Sequence, residues 1–327
     1  MPRRGRGSSS QNKPPSNMPP LKMIAVGNAC ATSIFRVATV PALPAKVLAD
    51  QMCRVADGMA ISAACAFTRL GGSAAAWARV GDDADGAFIR SSLSEAGLDV
   101  SAIRSVPGGR SAQVAVIVDG TGNRLVVPYQ DPSLQAAADW LPLESLAGAT
   151  IVHCDPRWPD GAEAALRAAR TRGIPTMLDG DVAPVEVLER LVPLADYAVF
   201  SDAGLLVYTG LGDVPSALRA VAAKHSGHVG ASCGPEGYFW VEGDAIRHVA
   251  APAIAAIDTL AAGDVFHGAL ALAILEGRPL AAAATFACIA ATLKCGRFGG
   301  RLGCPSRAEV DAALGAQGCS QTVDSLP

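Results

Sequence analysis

Apolar residues form two patterns that alternate along the chain: short continuous runs, and longer stretches with helical periodicity. Runs at residues 21–27 and 74–80 predict buried strands, and stretches at 61–70 and 87–96 predict helices. Beyond residue 150 the alternation becomes regular, which predicts an α/β fold with a mainly parallel sheet and helices on both faces. The strand and helix pairs are expected at 150–154 and 161–172, 176–179 and 184–191, and 197–201 and 214–225, with further strands at 228–232 and 237–241.

Two strand-like segments near residues 34–40 and 46–55 interrupt this alternation early in the chain. A hairpin is predicted at 114–118 and 123–129, around the turn Asp119-Gly120-Thr121-Gly122. Antiparallel pieces of this kind predict a small β lid that projects from the main sheet. Because ligands of open α/β sheets bind at the carboxyl ends of the strands, such a lid would close over the ligand and exclude water.

Composition narrows the class of protein. The chain has 327 residues, half of them apolar, which suffices for one large core. A net charge of −3 with scattered basic residues gives no support to nucleic-acid binding. Nine cysteines without a Cys-x-x-Cys pair predict reduced thiols and a cytoplasmic location. No apolar run approaches the roughly 20 residues of a membrane span, so no membrane contact is expected.

These observations predict three segments of chain. Residues 1–20 are rich in Arg, Ser, Asn and Pro without an apolar core, which is typical of a disordered tail and not of a secretory signal. A single domain is expected at 21–315, with its lid from about 32–57 and 111–130. Residues 316–327 are expected to form a C-terminal tail.

The segment Asp258-Thr259-Leu260-Ala261-Ala262-Gly263-Asp264 carries the clearest chemistry, because an apolar helical run follows it at once. A helix that begins there would direct unpaired N–H groups and the positive end of its dipole at one point, which is an anion site. Asp264 would lie beside it as a base that takes the proton of a hydroxyl attacking a phosphoryl group. The motif therefore indicates a small-molecule kinase. An ordinary N-cap, with Gly263 allowing close packing, is the alternative.

The same segment resembles the Asp-Thr-x-Gly-Ala-Gly-Asp motif of the ribokinase-like (PfkB) carbohydrate kinases. The resemblance implies a three-layer α/β/α fold and ATP and Mg²⁺ as cofactors. It also implies an anion hole formed by Ala262, Gly263 and Asp264 and shaped by Ala261, with Asp264 as catalytic base. Ala261 replaces the usual glycine, so a backbone with positive φ would be strained there. An ordinary φ at Ala261 is the other possibility. The chain has neither a P-loop nor a Gly-x-Gly-x-x-Gly sequence after its first strand.

Other segments extend the resemblance to the nucleotide. Ser232-Cys233-Gly234-Pro235-Glu236-Gly237 is similar to the family's Thr-x-Gly-x-x-Gly turn, which lines the nucleotide pocket, although alone it would be an ordinary β-turn. The resemblance thereby implies nucleotide contacts for Ser232, Gly234 and Gly237, and it adds Ser201 and Thr259. Gly81-Asp82-Asp83 with Gly86 matches another family segment, where we expect only a helix cap from Asp82 or Asp83.

Scattered matches at 155–158, 178–181, 264–271 and 291–303 resemble the sulfofructose kinase branch of the family. That branch phosphorylates 6-deoxy-6-sulfofructose at its 1-hydroxyl. The resemblance implies that Lys46 and Arg157 hold the sulfonate, while Pro128 stands where the branch has an asparagine. A tetrahedral anion suits a guanidinium and an ammonium. A solvated lysine and a surface arginine are the alternatives.

Departures from the family pattern leave the substrate open. Thr32 and Asp57 stand where the family binds sugar hydroxyls, and Met59 adds bulk nearby. Asp179 and Asp202 are the candidates for ordering magnesium. The alternatives are a kinase for another ketose, a sugar acid or a nucleoside-like polyol, and a catalytically weak nucleotide-binding regulator with the same fold. The family resemblance also implies a homodimer formed through the lid.

Overall fold

A computed structural model describes residues 21–42, 44–135, 137–317 and 324–326. Its main element is a ten-stranded sheet in the order β14-β13-β12-β11-β10-β9-β8-β1-β4-β5. The seven strands from β11 to β5 in this order are parallel, and β12, β13 and β14 continue the sheet antiparallel. The strands are β1 Lys22–Val26, β4 Ser73–Gly81, β5 Ile103–Val106, β8 Ile151–Cys154, β9 Thr176–Gly180, β10 Tyr197–Ser201, β11 His228–Ser232, β12 Tyr238–Glu242, β13 Ala245–Val249 and β14 Asp324–Leu326.

Helices cover both faces of this sheet, because alternate residues of its buried strands point to opposite sides. Met23 and Ala25 of β1 belong to one apolar core, whereas Ile24 and Val26 belong to the other. The prediction of a three-layer α/β/α fold is therefore confirmed. The helices are α1 Met59–Arg69, α2 Ala84–Glu95, α3 Pro159–Thr171, α4 Val185–Leu191, α5 Asp202–Thr209, α6 Val214–Ala222, α7 Ala262–Leu275, α8 Leu280–Cys295 and α9 Arg307–Gln317.

A separate four-stranded sheet forms the predicted lid, in the order β3-β2-β6-β7. Its strands are β2 Cys30–Val37, β3 Gln51–Asp57, β6 Ala112–Asp119 and β7 Arg124–Tyr129. Asp119 closes the expected hairpin by accepting hydrogen bonds from the Thr121 and Asn123 N–H groups, at 3.0 and 3.2 Å. The inner face of the lid packs against Leu260 and Phe298. Several apolar side chains of the lid are exposed to solvent, among them Met52, Leu125, Val127 and Tyr129.

Several predicted boundaries were wrong. The first two lid strands lie at 30–37 and 51–57, not at 34–40 and 46–55, because residues 38–50 contain no strand where they are described. Helix α2 starts at Ala84, since Asp83 caps it by accepting from the Gly86 N–H at 2.7 Å, as expected for this segment. Strand β14 lies within the expected C-terminal tail. The expected tail at 1–20 lies outside the described residues, and the domain limits stay a prediction.

Among the helices that the structure describes, none has the length and apolar character needed to cross a membrane.

Candidate active site

Polar side chains gather where the parallel strands of the main sheet end. Asp155 follows β8, Asp179 and Asp181 lie at the end of β9, and Ser201 and Ser232 close β10 and β11. Ser201 pairs in register with Ser232 on the neighbouring strand, so the two are adjacent. The carboxyl ends of neighbouring parallel strands form one edge of the sheet, which is the usual ligand site of this architecture.

Helix α7 begins at this edge and presents unpaired donors. The Ala262 N–H is bonded to the Thr259 carbonyl at 3.2 Å, and the Val265 N–H to the Ala261 carbonyl at 3.0 Å. Between them, the N–H groups of Gly263 and Asp264 have no partner within the described part of the chain. A Cβ added to Gly263 would meet nothing within 4 Å, so the space on the side-chain side of Gly263 is open. Gly263 and Asp264 thus offer free donors of the kind that an anion site needs, whereas the N–H of Ala262, also predicted for the anion hole, is already bonded to Thr259; the anion hole stays a prediction.

Ala261 is strained in the way that the motif suggested. Its φ of 62° and ψ of 14° are left-handed, and it is the only residue other than glycine with positive φ among those described. A Cβ makes this conformation unfavourable, so the chain must be held in it by its surroundings. The possibility of an ordinary φ at Ala261 is excluded.

Asp258 supplies much of that constraint. Its carboxylate is fully buried and accepts hydrogen bonds from the N–H groups of Leu260, Gly299 and Gly300, at 2.8, 2.9 and 2.8 Å. The Ile257 and Asp258 N–H groups both donate to the Cys295 carbonyl at the end of α8. The loop that shapes the anion hole is thereby tied to two other segments of the chain.

Asp264 lies in the first turn of α7, partly exposed, and the charges of four other carboxylates act on it. Burial raises its pKa well above the ordinary value, and the charges of the other carboxylates raise that pKa further. An acid with a raised pKa beside an anion site has the property expected of a general base for a hydroxyl. We call the four the carboxylate cluster; its members are Asp57, Asp155, Asp179 and Asp181.

Asp181 joins two predicted subsites. It lies 3.2 Å from the Arg157 guanidinium and accepts a hydrogen bond from the Ser201 hydroxyl at 2.9 Å. The Arg157 side chain is 39% exposed, and only its Nη2 has a described partner. Arg157 thus keeps donors for a ligand, although one carboxylate already offsets its charge. Asp155 fixes the Arg157 backbone by accepting from its N–H at 2.8 Å.

The other predicted sugar residues are placed unequally. Asp57 is buried at the end of β3, with the Ser62 hydroxyl as its donor, and it belongs to the carboxylate cluster. Thr32 is only 1% exposed within β2, with Cys30 Sγ 3.6 Å from its hydroxyl. Lys46 is exposed between β2 and β3, and no described contact links it to Arg157. A shared role of Lys46 and Arg157 in binding an anion therefore stays a prediction.

The predicted nucleotide turn follows β11. Gly234 and Gly237 both have positive φ, of 51° and 98°. A Cβ at Gly237 would lie 2.1 Å from the Val249 carbonyl oxygen, so only glycine fits there. The Ser201 hydroxyl caps α5, and the Ser232 hydroxyl donates to the Phe200 carbonyl at 3.4 Å. Ser201 and Ser232 thus lie side by side at the ends of neighbouring strands, and the glycine turn follows Ser232 directly; we call these four residues the nucleotide rim.

The predicted magnesium residues do not form a ligand group. Asp179 is buried with the His267 ring nitrogen 3.5 Å from its carboxylate, whereas Asp202 is exposed at the start of α5. Within the described ranges there is no cluster of three or more His, Cys, Asp or Glu that could hold a metal ion. The residues thus do not fit a metal cage built by the protein, and magnesium at this pair stays a prediction.

The lid contacts the anion-hole loop directly. Arg124, at the start of β7, donates a hydrogen bond to the Thr259 hydroxyl. Leu260 packs with the inner face of the lid. Thr259, predicted to contact the nucleotide, is therefore the point where the lid meets the site.

Four residues of this site could not be assigned to it from the sequence. Asp181, Arg124 and Lys294 were not assigned to it, and Asp258 was read only as part of the motif. Apart from the Leu260 N–H beside Asp258, the partners named for these residues lie 20 or more residues away in sequence. The only signal in the sequence was that each lies inside one of the segments 123–129, 178–181, 258–264 and 291–303 described above.

Comparisons with known proteins agree with this geometry. A family model described as pfkB family carbohydrate kinase matches residues 21–307. A ribokinase from Haemophilus influenzae is 26% identical, with 82% of this chain and 90% of that protein covered, and a fructokinase from Vibrio alginolyticus is 28% identical, with 65% and 74% covered. A solved, provisionally named ribokinase from Agrobacterium tumefaciens is 41% identical with a TM-score of 0.88, covering 91% of this chain and 98% of that chain. The ribokinase of Arabidopsis thaliana complexed with ribose and ATP, 22% identical with a TM-score of 0.77 over 91% and 99%, shares the fold.

Proposed function

We propose a specific reaction and set of residue roles from the premise that this chain belongs to the pfkB family of carbohydrate kinases, and so is a phosphotransferase that acts on a sugar hydroxyl. The proposed reaction moves the γ-phosphoryl group of ATP to a primary hydroxyl of a small sugar. The observation that carries it is the pair of unpaired N–H groups at Gly263 and Asp264 beside the Asp264 carboxylate.

The proposed mechanism uses residues of this chain at each step. The oxygen of the sugar hydroxyl attacks the γ-phosphorus while Asp264 accepts the hydroxyl proton, and ADP leaves. The N–H groups of Gly263 and Asp264 donate to the phosphoryl oxygens, where negative charge accumulates. The lid excludes water through its contact at Thr259. Magnesium bound to the triphosphate would neutralise phosphate charge; we assign it no residue.

The proposed substrate class has two candidate members, each supported by a different feature of the site. The first candidate is 6-deoxy-6-sulfofructose at its 1-hydroxyl, supported by the donors that Arg157 retains. The second is a neutral ketose or pentose, supported by the carboxylate cluster, because carboxylates accept hydrogen bonds from hydroxyls and repel anions.

The test is ADP release with ATP and a panel of sulfofructose, fructose, ribose, a sugar acid and a nucleoside. We expect turnover with one sugar, and its abolition in Asp264→Asn. If no sugar of the panel is turned over although ATP still binds, the result would contradict the kinase proposal and favour the nucleotide-binding regulator. The matched control is Asp244→Asn, since Asp244 is exposed in the turn between β12 and β13.

We also propose that the lid pairs with the lid of a second copy in the cytoplasm. Strand β7 is an edge strand whose apolar side chains are exposed, including Leu125 at 48%, Val127 at 55% and Tyr129 at 51%. Such an edge favours association.

Val127→Glu is expected to halve the mass measured by light scattering, whereas Val207→Glu, at a comparably exposed position of α5, should not. An unchanged mass for Val127→Glu would exclude pairing through this strand.

A further inference from the structure

Lys294 is a charged residue that the proposed mechanism does not use. It lies in the last turn of α8 and is fully buried. Its ammonium donates to the Asp258 carbonyl at 2.5 Å and lies 3.4 Å from the Asp258 carboxylate. Burying an unpaired lysine or aspartate is costly, so each of the two charges depends on the other.

The pair stands directly behind the anion hole. Asp258 begins the loop whose left-handed residue, Ala261, precedes the donors of α7. The Asp258 N–H donates to the Cys295 carbonyl, which holds one end of the loop. The Asp258 carboxylate is held by the Gly299 and Gly300 N–H groups. Lys294 adds the only cationic contact to Asp258 within the described residues. Without it, a buried negative charge would remain close to the site that receives phosphate.

We propose that Lys294 is a positioning residue for phosphoryl transfer: its ammonium is the internal counter-ion of Asp258 and holds the 258–261 loop in the strained form that aims the Gly263 and Asp264 N–H groups. The inference rests on the proposed function. It assigns to Lys294 no contact with the substrate. Its effect passes through Asp258 to the loop, and from the loop to the donors.

The first test compares turnover in Lys294→Ala with the wild type. A small misplacement of the donors can cost about 10² in rate, so kcat is expected to fall about that much with little change in the sugar KM. Ethylammonium is small enough to enter the space left by the side chain and should restore kcat saturably. Tetramethylammonium, at equal ionic strength, should not. Lys224→Met, at an exposed position after α6, is the control. Lost turnover that no amine restores would overturn the proposal.

A double-mutant cycle guards against simple misfolding. Lys294→Met leaves the Asp258 carboxylate without a cationic partner, whereas Lys294→Met combined with Asp258→Asn removes both charges. If Lys294 acts through Asp258, the rate effect of Lys294→Met should be much smaller in the Asp258→Asn background than in the wild type. Equal effects in the two backgrounds would contradict a role through Asp258.

Hydrogen exchange gives a readout that is independent of activity. The hydrogen-bonded amides of Ile257, Asp258, Leu260 and Ala262 should exchange faster in Lys294→Ala, and ethylammonium should slow them again. Unchanged exchange in a folded variant would overturn the inference. A wild-type protein that shows this protection but phosphorylates no sugar would instead contradict the proposed function and leave the positioning of the loop intact.

Discussion

At the scale of single residues, Asp264 combines two properties that seldom occur together by chance. It lies at a helix start with unpaired N–H groups beside it, and its pKa is raised by burial and by the carboxylate cluster. The first property attracts a phosphoryl group, and the second equips the carboxylate to accept a proton from a hydroxyl.

Asp264→Asn tests this role. Because the amide cannot accept the hydroxyl proton, kcat is expected to fall by about 10² to 10⁴. ATP binding, measured by calorimetry, should be retained. A loss of less than about threefold would exclude Asp264 as the base, since general-base catalysis supplies far more than that.

Arg157→Ala tests recognition of an anionic group on the sugar. Loss of one charge-assisted hydrogen bond costs about 1.5 to 3 kcal/mol, so KM for sulfofructose should rise roughly 10- to 150-fold. KM for fructose should change little. Arg167→Ala removes an exposed arginine paired with Glu163 and serves as control. Equal losses for the two sugars would make Arg157 structural.

At the scale of elements, the start of α7 joins a strained residue to an open helical turn. The strain lies at Ala261, and the open position is Gly263, whose side-chain side faces open space. A substitution at Ala261 therefore tests the backbone geometry of the loop, and a substitution at Gly263 tests whether a ligand needs the space beside the helix start.

Ala261→Gly removes the strain. Relief of the left-handed Cβ is worth about 1 to 2 kcal/mol, whereas added freedom of the unfolded chain costs roughly 0.4 to 1 kcal/mol. The melting temperature should therefore be equal or higher, and kcat should rise about threefold or more as the donors align. Slower turnover with a lower melting temperature would refute the strain argument.

Gly263→Ala separates folding from function. The added methyl meets no protein atom, and alanine is favoured in helices by up to about 1 kcal/mol, so stability should hold or rise. The methyl would stand where the phosphoryl group must bind, so turnover should fall by about 10². Gly315→Ala in α9 also meets nothing within 4 Å and should leave turnover unchanged. Full activity in Gly263→Ala would place the anion elsewhere.

Elements with a strong local signal could be predicted, and contacts across the chain could not. Buried strands such as β1 and β10 follow from continuous apolar runs between turns, and the lid hairpin follows from Asp119 to Gly122. Helix α8 was missed because its many small residues show no clear apolar stripe. The Arg124 contact with Thr259 spans 135 residues, and nothing in either local sequence encodes it.

At the scale of the whole molecule, the site concentrates carboxyl groups at one edge of the sheet. The carboxyl groups of Asp179, Asp155 and Asp264 all have raised pKa values, chiefly because burial disfavours their charged forms. In the unfolded chain such carboxyl groups ionise near pH 3.9, whereas in the folded protein they ionise only at a higher pH. Their contribution to stability is therefore complete below that pH and is lost as the pH rises through the folded-state pKa values.

Asp264→Asn should expose this linkage. Since asparagine does not ionise, the free energy of unfolding of the variant should exceed that of the wild type by a margin that grows from about pH 4 to neutral pH. Urea titrations at several pH values would measure it. A margin that shrinks as pH rises would mean that the folded protein stabilises the ionised carboxylate. Activity of the wild type should likewise fall, on acidification, at a higher pH than for an ordinary aspartate.

Asp181 restricts how such an enzyme can be redesigned. One carboxylate serves both Arg157, beside the proposed sugar, and Ser201, on the nucleotide rim. Exchanging Arg157 to admit a new sugar would release Asp181 to bond Ser201 differently, so a gain in specificity should carry a loss in nucleotide affinity. Variants selected for a new substrate are therefore expected to need paired changes at positions 157 and 181, and libraries that vary either position alone should yield few improved enzymes.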